Sequence, residues 1–177
     1  MGIEIEAKIR VESLEPVRER LAGLGVKCAG TVYQRDIYFD SAGNEMKRGD
    51  RALRLRIEKT EAKQKIKLTY KGPRQGGAFK NRVEIEFGVD DERAAGELLN
   101  ELGYRQGVIV EKTREVYRFG DCEIGLDSLS GVGLFVEIEG ASEEAIHAVQ
   151  KTLGLAEFAH TSESYASMVE KFKSEKH

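Results

Sequence analysis

Pairs of charged side chains spaced two residues apart recur along the chain, and their types suit the binding of metal ions and phosphate. Glu4 and Glu6 form such a pair near the beginning, and Glu137 and Glu139 form another near the end. In an extended strand, side chains two residues apart point to the same side at a separation of roughly 6.5–7 Å. Two carboxylates in this arrangement can share divalent cations, because hard oxygen ligands suit Mg²⁺ and Mn²⁺.

Basic side chains follow the same alternation along the chain. Arginine binds phosphate oxygens through two parallel hydrogen bonds, and lysine binds them as a point charge. The alternative role for both is a salt bridge to a neighbouring carboxylate. Lys65 and Lys67 stand in the same phase, and their role is left open. The candidate phosphate-binding residues are Lys8, Arg54, Arg56, Lys71, Arg82, Lys112 and Arg114.

The acidic residues of these stretches have more than one open role. Glu84 and Glu86 either bind metal or orient Arg82 and its neighbours, and Asp127 belongs either to the same site or to a turn. The candidate metal ligands are Glu4, Glu6, Glu84, Glu86, Asp127, Glu137 and Glu139.

The period-two alternation of apolar and polar residues predicts the strands that must position these groups. Helices are expected after Ser13, after Asp90 or Asp91, after Ser142 and after Ser162, where a capping residue precedes an apolar stripe of helical period. The eight predicted strands cover residues 3–11, 31–39, 51–58, 65–71, 80–87, 108–119, 121–127 and 133–139.

Such an element order predicts an α+β fold with a closed or nearly closed eight-stranded antiparallel β-barrel and helices packed outside. The helices would cover the apolar strand faces, so the charged faces would line the interior. A dry interior of this kind would cost several kcal/mol per unpaired ion. We therefore expect a wet cavity completed by a polyanion and divalent cations, and a triphosphate carrying Mg²⁺ or Mn²⁺ supplies both.

Length and composition exclude several other classes of protein. The 177 residues fit one domain, and a formal net charge of −3 argues against a nucleic-acid or membrane-surface partner. No apolar run reaches the roughly 18 residues of a membrane span, and no secretory signal is evident, so we expect a cytoplasmic protein. Residues 171–177 are a candidate disordered tail, and a homodimer is left open. The two cysteines, Cys28 and Cys122, are expected to be reduced thiols, and the three histidines, His147, His160 and His177, are expected at the surface or in packing. The number and spacing of these residues suit neither a disulfide scaffold nor a zinc site.

Residues 4–8, Glu-Ile-Glu-Ala-Lys, resemble the Glu-x-Glu-x-Lys signature of the CYTH superfamily. This superfamily includes class IV adenylyl cyclases, thiamine triphosphatases and inorganic tripolyphosphatases. The resemblance continues in order through residues 36–40, 52–56, 69–73, 82–86, 111–114, 126–127, 135–139 and 164–165. It covers nearly the whole chain, taken as a single CYTH domain over 1–177, and is closest to the class IV adenylyl cyclase branch. It implies a triphosphate tunnel of eight antiparallel strands in which Glu4, Glu6 and Lys8 act in catalysis.

Two reactions fit the implied tunnel. The ribose 3′-hydroxyl of ATP attacking the α-phosphorus would give cyclic AMP and pyrophosphate, and we expect this reaction first. Water attacking the terminal phosphorus of tripolyphosphate, thiamine triphosphate or a nucleotide would make the protein a triphosphatase. Characterised class IV cyclases resemble one another in a His-Phe pair upstream of the glutamate motif, and the residues before Glu4 here do not match it. A non-catalytic triphosphate sensor ranks third, and an RNA-binding barrel ranks below it, since aromatic residues make up only 7%.

Overall fold

The computed structural model describes residues 2–74 and 80–176, apart from the side chains of residues 2–4, 80 and 81. Within these ranges the chain forms eight strands and five helices. The strands are β1 (Gly2–Val11), β2 (Gly30–Ser41), β3 (Ala52–Lys59), β4 (Gln64–Lys71), β5 (Lys80–Val89), β6 (Tyr104–Phe119), β7 (Cys122–Leu129) and β8 (Gly133–Gly140). The helices are α1 (Glu15–Gly23), α2 (Glu45–Arg48), α3 (Glu92–Glu101), α4 (Glu143–Thr152) and α5 (Tyr165–Ser174).

All eight strands belong to one strongly curled antiparallel sheet, in the order β1-β5-β4-β3-β2-β6-β7-β8. The first half of β1 pairs with β5 over five residue pairs, and its second half pairs with β8. Beyond the β5 ladder, the exposed edge of β1 is bridged by the segment before α5: Ile9 pairs with His160, and the Thr161 amide donates to the Lys8 carbonyl at 2.8 Å. The predicted eight antiparallel strands are confirmed, and the seam between β1 and β5 is short.

The outer face of the sheet carries the apolar side chains and lies beneath three helices. Helices α1 and α4 cover the outer faces of β1, β7 and β8 around Ile9, Ile124 and Ile138, which are fully buried. Helix α3 packs Ala95 and Leu99 onto the outer faces of β2 and β3. Because the side chains of a strand alternate between faces, burying this apolar set turns the charged set inward.

Helix α5 lies on the inner face of the sheet, so the prediction that every helix packs outside is wrong for this element. Tyr165, Met168 and Val169 pack against Leu129 and Phe135. Leu129 lies two residues beyond Asp127 on β7, and Phe135 lies two residues before Glu137 on β8, so both share the inward face. Leu129 and Phe135 make one end of the inward face apolar, and burying them is favourable. The apolar side chains of α5 cover them.

The helix boundaries follow the predicted capping residues in part. Asp91 and Ser142 cap α3 and α4 as predicted, since their side chains accept hydrogen bonds from backbone amides of the first turn. The cap of α5 is Ser164 instead of Ser162, because Ser164 Oγ accepts from the Ser167 amide at 3.1 Å. At α1, the cap position is one residue later than the predicted Ser13 and has no side-chain hydrogen bond.

Two short segments differ from expectation. Helix α2 lies between the predicted strands 31–39 and 51–58, where no helix is predicted, and the Asp40 carboxylate accepts from the amides of Met46 and Lys47 at 2.9 and 3.0 Å. Residues 171–174, assigned to the candidate tail, form the last turn of α5, and His177 lies outside the described residues. None of the described helices is long and apolar enough to cross a membrane.

Candidate functional site

The inner face of the curled sheet surrounds a cavity of about 1090 Å³. All seven candidate phosphate-binding residues line it, as do five of the candidate metal ligands. Asp127 lies behind the lining and is fully buried, and the side chain of Glu4 lies outside the described residues. The lining candidates are Lys8, Arg54, Arg56, Lys71, Arg82, Lys112, Arg114, Glu6, Glu84, Glu86, Glu137 and Glu139.

One cluster of cations is organised by Asp36 of β2. Arg56 donates to both carboxylate oxygens of Asp36 at 2.6 and 2.7 Å, and Arg54 Nη1 lies 3.6 Å away. Burial alone would raise the pKa of Asp36, but the two guanidiniums outweigh burial and hold that pKa well below its usual range. Asp36 therefore stays ionised and keeps both arginines in place beside the cavity.

A second cluster is organised by Asp127 and Glu137. Asp127 accepts from Lys112 Nζ at 2.8 Å and from Arg114 Nε at 2.6 Å. Glu137 contacts Arg114 and also Lys8 Nζ at 3.0 Å. Burial and the neighbouring Arg114 lower the pKa of Lys112 to about 8, against the raising effect of the two carboxylates. Because protein donors occupy both oxygens of Asp127, this geometry suits the orienting of cations better than the binding of metal.

Tyr165, the first residue of α5, belongs to the second cluster. Its hydroxyl donates to Asp127 Oδ2 at 2.8 Å. The ammonium nitrogens of Lys8 and Lys112 lie 4.1 and 4.5 Å from the centre of its ring. Burial and the nearby carboxylates raise the pKa of Tyr165 well above its ordinary value, so its phenol remains a donor.

A third group of charges lies on β3, β4 and β5. Lys67 contacts Glu86 at 2.9 Å and Glu58 at 3.8 Å, and the Thr69 hydroxyl donates to Glu86 at 3.0 Å. Burial acts to raise the pKa of Glu86, but hydrogen bonds from Lys67 and Thr69 lower it overall. In this structure Glu86 contacts Lys67 and Arg54, and Lys67 belongs to the cavity.

Acidic side chains collect further along β1, β8 and β7, on a part of the lining that we call the acidic wall. Glu6 pairs across the sheet with Glu139, and Glu139 pairs with Glu123, so three carboxylates form a row across β1, β8 and β7. Lys71 lies 2.9 Å from Glu84 beside this row. Partial burial raises the pKa of Glu139; Lys71 opposes this effect, and the negative charges of Glu84, Glu123 and Glu6 add to it. Negative charge is thus concentrated on this wall, whereas in the three clusters each carboxylate contacts arginine or lysine.

Comparison with known proteins agrees with this arrangement. The model of the CYTH domain matches residues 2–165. The chain belongs to the CYTH family. MJ0240 of Methanocaldococcus jannaschii, provisionally named an adenylate cyclase, is 34% identical over 137 residues, which are 77% of this chain and 76% of that protein. Adenylate cyclase CyaB of Aeromonas hydrophila is 29% identical over 137 residues, covering 76% of this chain and 67% of that protein. The solved structure of the PH1819 protein of Pyrococcus horikoshii has a TM-score of 0.83 at 30% identity, covering 95% of this chain and 99% of that one.

The acidic wall of this CYTH domain has the donor chemistry that Mg²⁺ or Mn²⁺ needs. Carboxylate oxygens are the ligands these ions prefer. Burial first, and then the negative charges of Glu84, Glu123 and Glu6, raise the pKa of Glu139, and a bound cation would offset these nearby negative charges. The described residues contain no cluster of three side chains already close enough to hold a metal. Mg²⁺ commonly uses one or two carboxylates and completes its shell with water and substrate phosphate, so the residues present fit such an ion.

Several residues of the CYTH cavity were missed by sequence reasoning or given another role. Asp36 and Tyr165 stand in matching motifs, yet charge alternation alone assigns them no site role. Glu123 lies four residues before Asp127 on β7, so both side chains face the same side of the strand. This alternation could have identified Glu123 as a residue of the cavity. Gln34 donates a hydrogen bond to Glu58 at 2.8 Å. Because its side chain is neutral, the alternation of charged residues could not identify it.

Proposed function

We propose that this CYTH protein is a metal-dependent enzyme that acts on a triphosphate substrate inside the charged cavity, with adenylyl cyclase as its leading activity. The observation that carries the proposal is the separation of charge within one cavity, between the acidic wall and the arginine and lysine clusters. A metal-bound triphosphate has the complementary separation. Strands β1 and β5 pair over only five residue pairs. We therefore include in the proposal that the curled sheet acts as a complete tunnel around the substrate.

The cationic clusters would bind the phosphate chain without first having to assemble. Asp36 holds Arg54 and Arg56, and Asp127 holds Lys112 and Arg114, so little side-chain ordering remains for the substrate to impose. Glu6 and Glu139, with Glu4, would hold the metal. Bound Mg²⁺ or Mn²⁺ supplies neutralisation of the charge that develops on phosphate oxygens. The protein cations add to that stabilisation along the chain.

The cyclase reaction joins the ribose 3′-oxygen to the α-phosphorus and breaks the bond from that phosphorus to the bridging oxygen. Pyrophosphate leaves, and the hydroxyl proton passes to a base. The cationic clusters would stabilise the leaving pyrophosphate. Support for this reaction over others comes from the adenylate cyclase names of the two curated relatives.

A triphosphatase is the second candidate, and the aromatic content of the cavity favours it. Among the described lining residues, the aromatic side chains are Tyr38, Phe39 and Tyr165. Phe39 packs into the outer apolar cluster, and the ring of Tyr165 already contacts two lysines. Tyr38 is partly buried against the apolar cluster beneath α5, so little ring surface is left to stack a nucleobase. This suits a substrate made of phosphate alone.

Product analysis separates the candidates. The purified protein is incubated with Mg²⁺ or Mn²⁺ and ATP, tripolyphosphate or thiamine triphosphate. Cyclic AMP with pyrophosphate supports the cyclase, and orthophosphate release supports the triphosphatase. Tight binding without any product under both metals contradicts both reactions and leaves a sensor.

The substitution Glu6→Gln tests the acidic wall. It removes one negative charge without changing side-chain size, so we expect turnover to be abolished while thermal stability changes little. The exposed Glu157 provides the matched control, and Glu157→Gln should leave turnover unchanged. A fully active Glu6→Gln protein would remove Glu6 from the proposed metal site.

A further inference from the structure

We propose that Tyr165 is a positioning residue whose aromatic ring holds the ammonium groups of Lys8 and Lys112 in the phosphate-binding geometry. This role rests on the proposed function of the cavity. Tyr165 stands at the boundary between the buried charges and the inner apolar cluster, and only 6% of its surface is exposed.

The two lysines would not hold these positions by themselves. Lys8 and Lys112 lie on β1 and β6, yet both contact Glu137, at 3.0 and 3.8 Å. Two ammonium groups that share one carboxylate repel each other when water is scarce. The negative face of an aromatic ring attracts cations within about 6 Å of its centre, and both ammoniums lie within that range of Tyr165. The ring therefore offsets the repulsion between the two lysines.

The ring is itself fixed from the other side. Phe135 meets it in an edge arrangement, with ring centres 5.1 Å apart and an interplanar angle of 66°. Met168 and Val169, one turn further along α5, pack in the same apolar cluster. The hydroxyl donates to Asp127, which also binds Lys112. The docking of α5 is thereby coupled to the positions of two cations that line the cavity.

The experiment separates positioning from simple packing. Tyr165→Phe keeps the ring and loses the hydroxyl, whereas Tyr165→Leu loses both. Val169→Ala removes packing from the same cluster without touching a lysine. Isothermal titration calorimetry with inorganic tripolyphosphate is run on the full chain, and thermal unfolding of each variant is recorded alongside.

We expect Tyr165→Leu to raise the dissociation constant for tripolyphosphate about tenfold, because two cations lose their shared ring. Tyr165→Phe and Val169→Ala should stay within about threefold of the wild type. A loss of affinity in Tyr165→Leu that is absent from an equally destabilised Val169→Ala is the result that a packing role alone does not produce. Wild-type affinity in Tyr165→Leu, or an equal loss in Val169→Ala, would overturn the proposal.

A second measurement does not depend on binding. Lysine methylene groups held close to an aromatic ring give NMR signals shifted upfield by the ring current. The wild type and Tyr165→Phe should show such signals, assigned with Lys8→Arg and Lys112→Arg, and Tyr165→Leu should lose them. If the wild type binds no tripolyphosphate, the proposed function fails, and these signals still decide whether Tyr165 positions the lysines. Unshifted lysine signals in the wild type would reject this role.

Discussion

Glycine at position 125 lets Arg114 lie flat across β7. A Cβ atom built on Gly125 would approach the Arg114 guanidinium carbon and Nε to 2.8 Å, which is closer than real contacts allow. Gly125 faces the cavity between Glu123 and Asp127, and Arg114 passes over it to reach Asp127 and Glu137. The absence of a side chain is therefore a condition for the geometry of this cation.

The substitution Gly125→Ala should displace Arg114 and weaken triphosphate binding about tenfold, since one oriented cation loses its place. Calorimetry with tripolyphosphate measures the effect. Gly88→Ala is the matched control, because Gly88 is also a strand glycine of the inner face and its nearest neighbour would lie 3.9 Å from the new Cβ. Equal affinity in the two variants would show that Arg114 tolerates the methyl group.

Removing Arg56 should affect stability as well as binding. Because Arg56 is a candidate phosphate-binding residue, the sequence predicts that Arg56→Ala chiefly weakens phosphate binding. The structure adds that Asp36 is buried and would keep only the longer 3.6 Å contact with Arg54. Breaking a buried ion pair costs roughly 3–5 kcal/mol, so we expect a loss near the lower figure, together with weaker tripolyphosphate binding.

Urea unfolding and calorimetry measure these two effects of Arg56→Ala separately. Arg118→Ala serves as the control, because that side chain is 78% exposed and contacts only Glu123 at 3.5 Å among the ion pairs of the described residues. It should change stability by less than about 0.5 kcal/mol. Undiminished stability in Arg56→Ala would mean that Arg54 alone compensates Asp36.

At the residue scale, the sequence predicts which side chains face inward better than it predicts their contacts. Alternation decides the face of each strand, so the sequence alone is enough to place Arg54, Lys112 and Glu137 in one cavity. Contacts depend on register between strands that are distant in sequence. The alternation therefore favours Asp127 as a metal ligand, whereas in the structure it accepts from Lys112, Arg114 and Tyr165.

At the scale of elements, the strands were predictable because their period is regular and their turns are marked by glycine. Helix α5 was also predictable as a helix, since Tyr165, Met168 and Val169 follow a helical period. The position of α5 on the inner face could not be predicted in the same way. The sheet has apolar residues on both faces, and the apolar stripe of α5 could pack against either one. Val110, Leu129 and Phe135 form the inner apolar patch that decides the matter.

The cap of α5 should control how firmly this helix is docked. Ser164→Ala removes the hydrogen bond from the Ser167 amide and should cost about 1 kcal/mol. Ser142→Ala removes the corresponding bond to Ala145 at the start of α4 and should cost a similar amount. Hydrogen exchange locates each effect, because local opening depends on local stability.

Faster exchange should appear in the amides of α5 for Ser164→Ala and in those of α4 for Ser142→Ala. The two helices cover opposite faces of the sheet, so each variant is the control for the other. Faster exchange throughout both helices in either variant would mean that they open together as one cooperative unit.

At the scale of the whole molecule, acid should destabilise the fold through carboxylates that contact cations in the folded state. The pKa of Asp36 is held below its usual range by Arg56 and Arg54 against the effect of burial, and the pKa values of Asp127 and Glu86 are also lowered. In the unfolded chain a carboxylate of this kind titrates near pH 4. As pH falls, the unfolded state therefore takes up protons before the folded state, and stability is lost.

Glu139 acts with the opposite sign, because burial and the neighbouring carboxylates raise its pKa, so that its protonation stabilises the folded state. The pKa values of Asp50, Glu115 and Glu144 are lowered as well, so the lowered carboxylates outnumber the raised one and the net effect of acid is a loss of stability. We expect the free energy of unfolding, measured with urea, to change little between about pH 7 and 5 and to fall steadily below about pH 5. Asp36→Asn removes one titrating group, so its stability should begin lower and fall less steeply. An identical slope in both proteins would show that Asp36 does not contribute to acid unfolding.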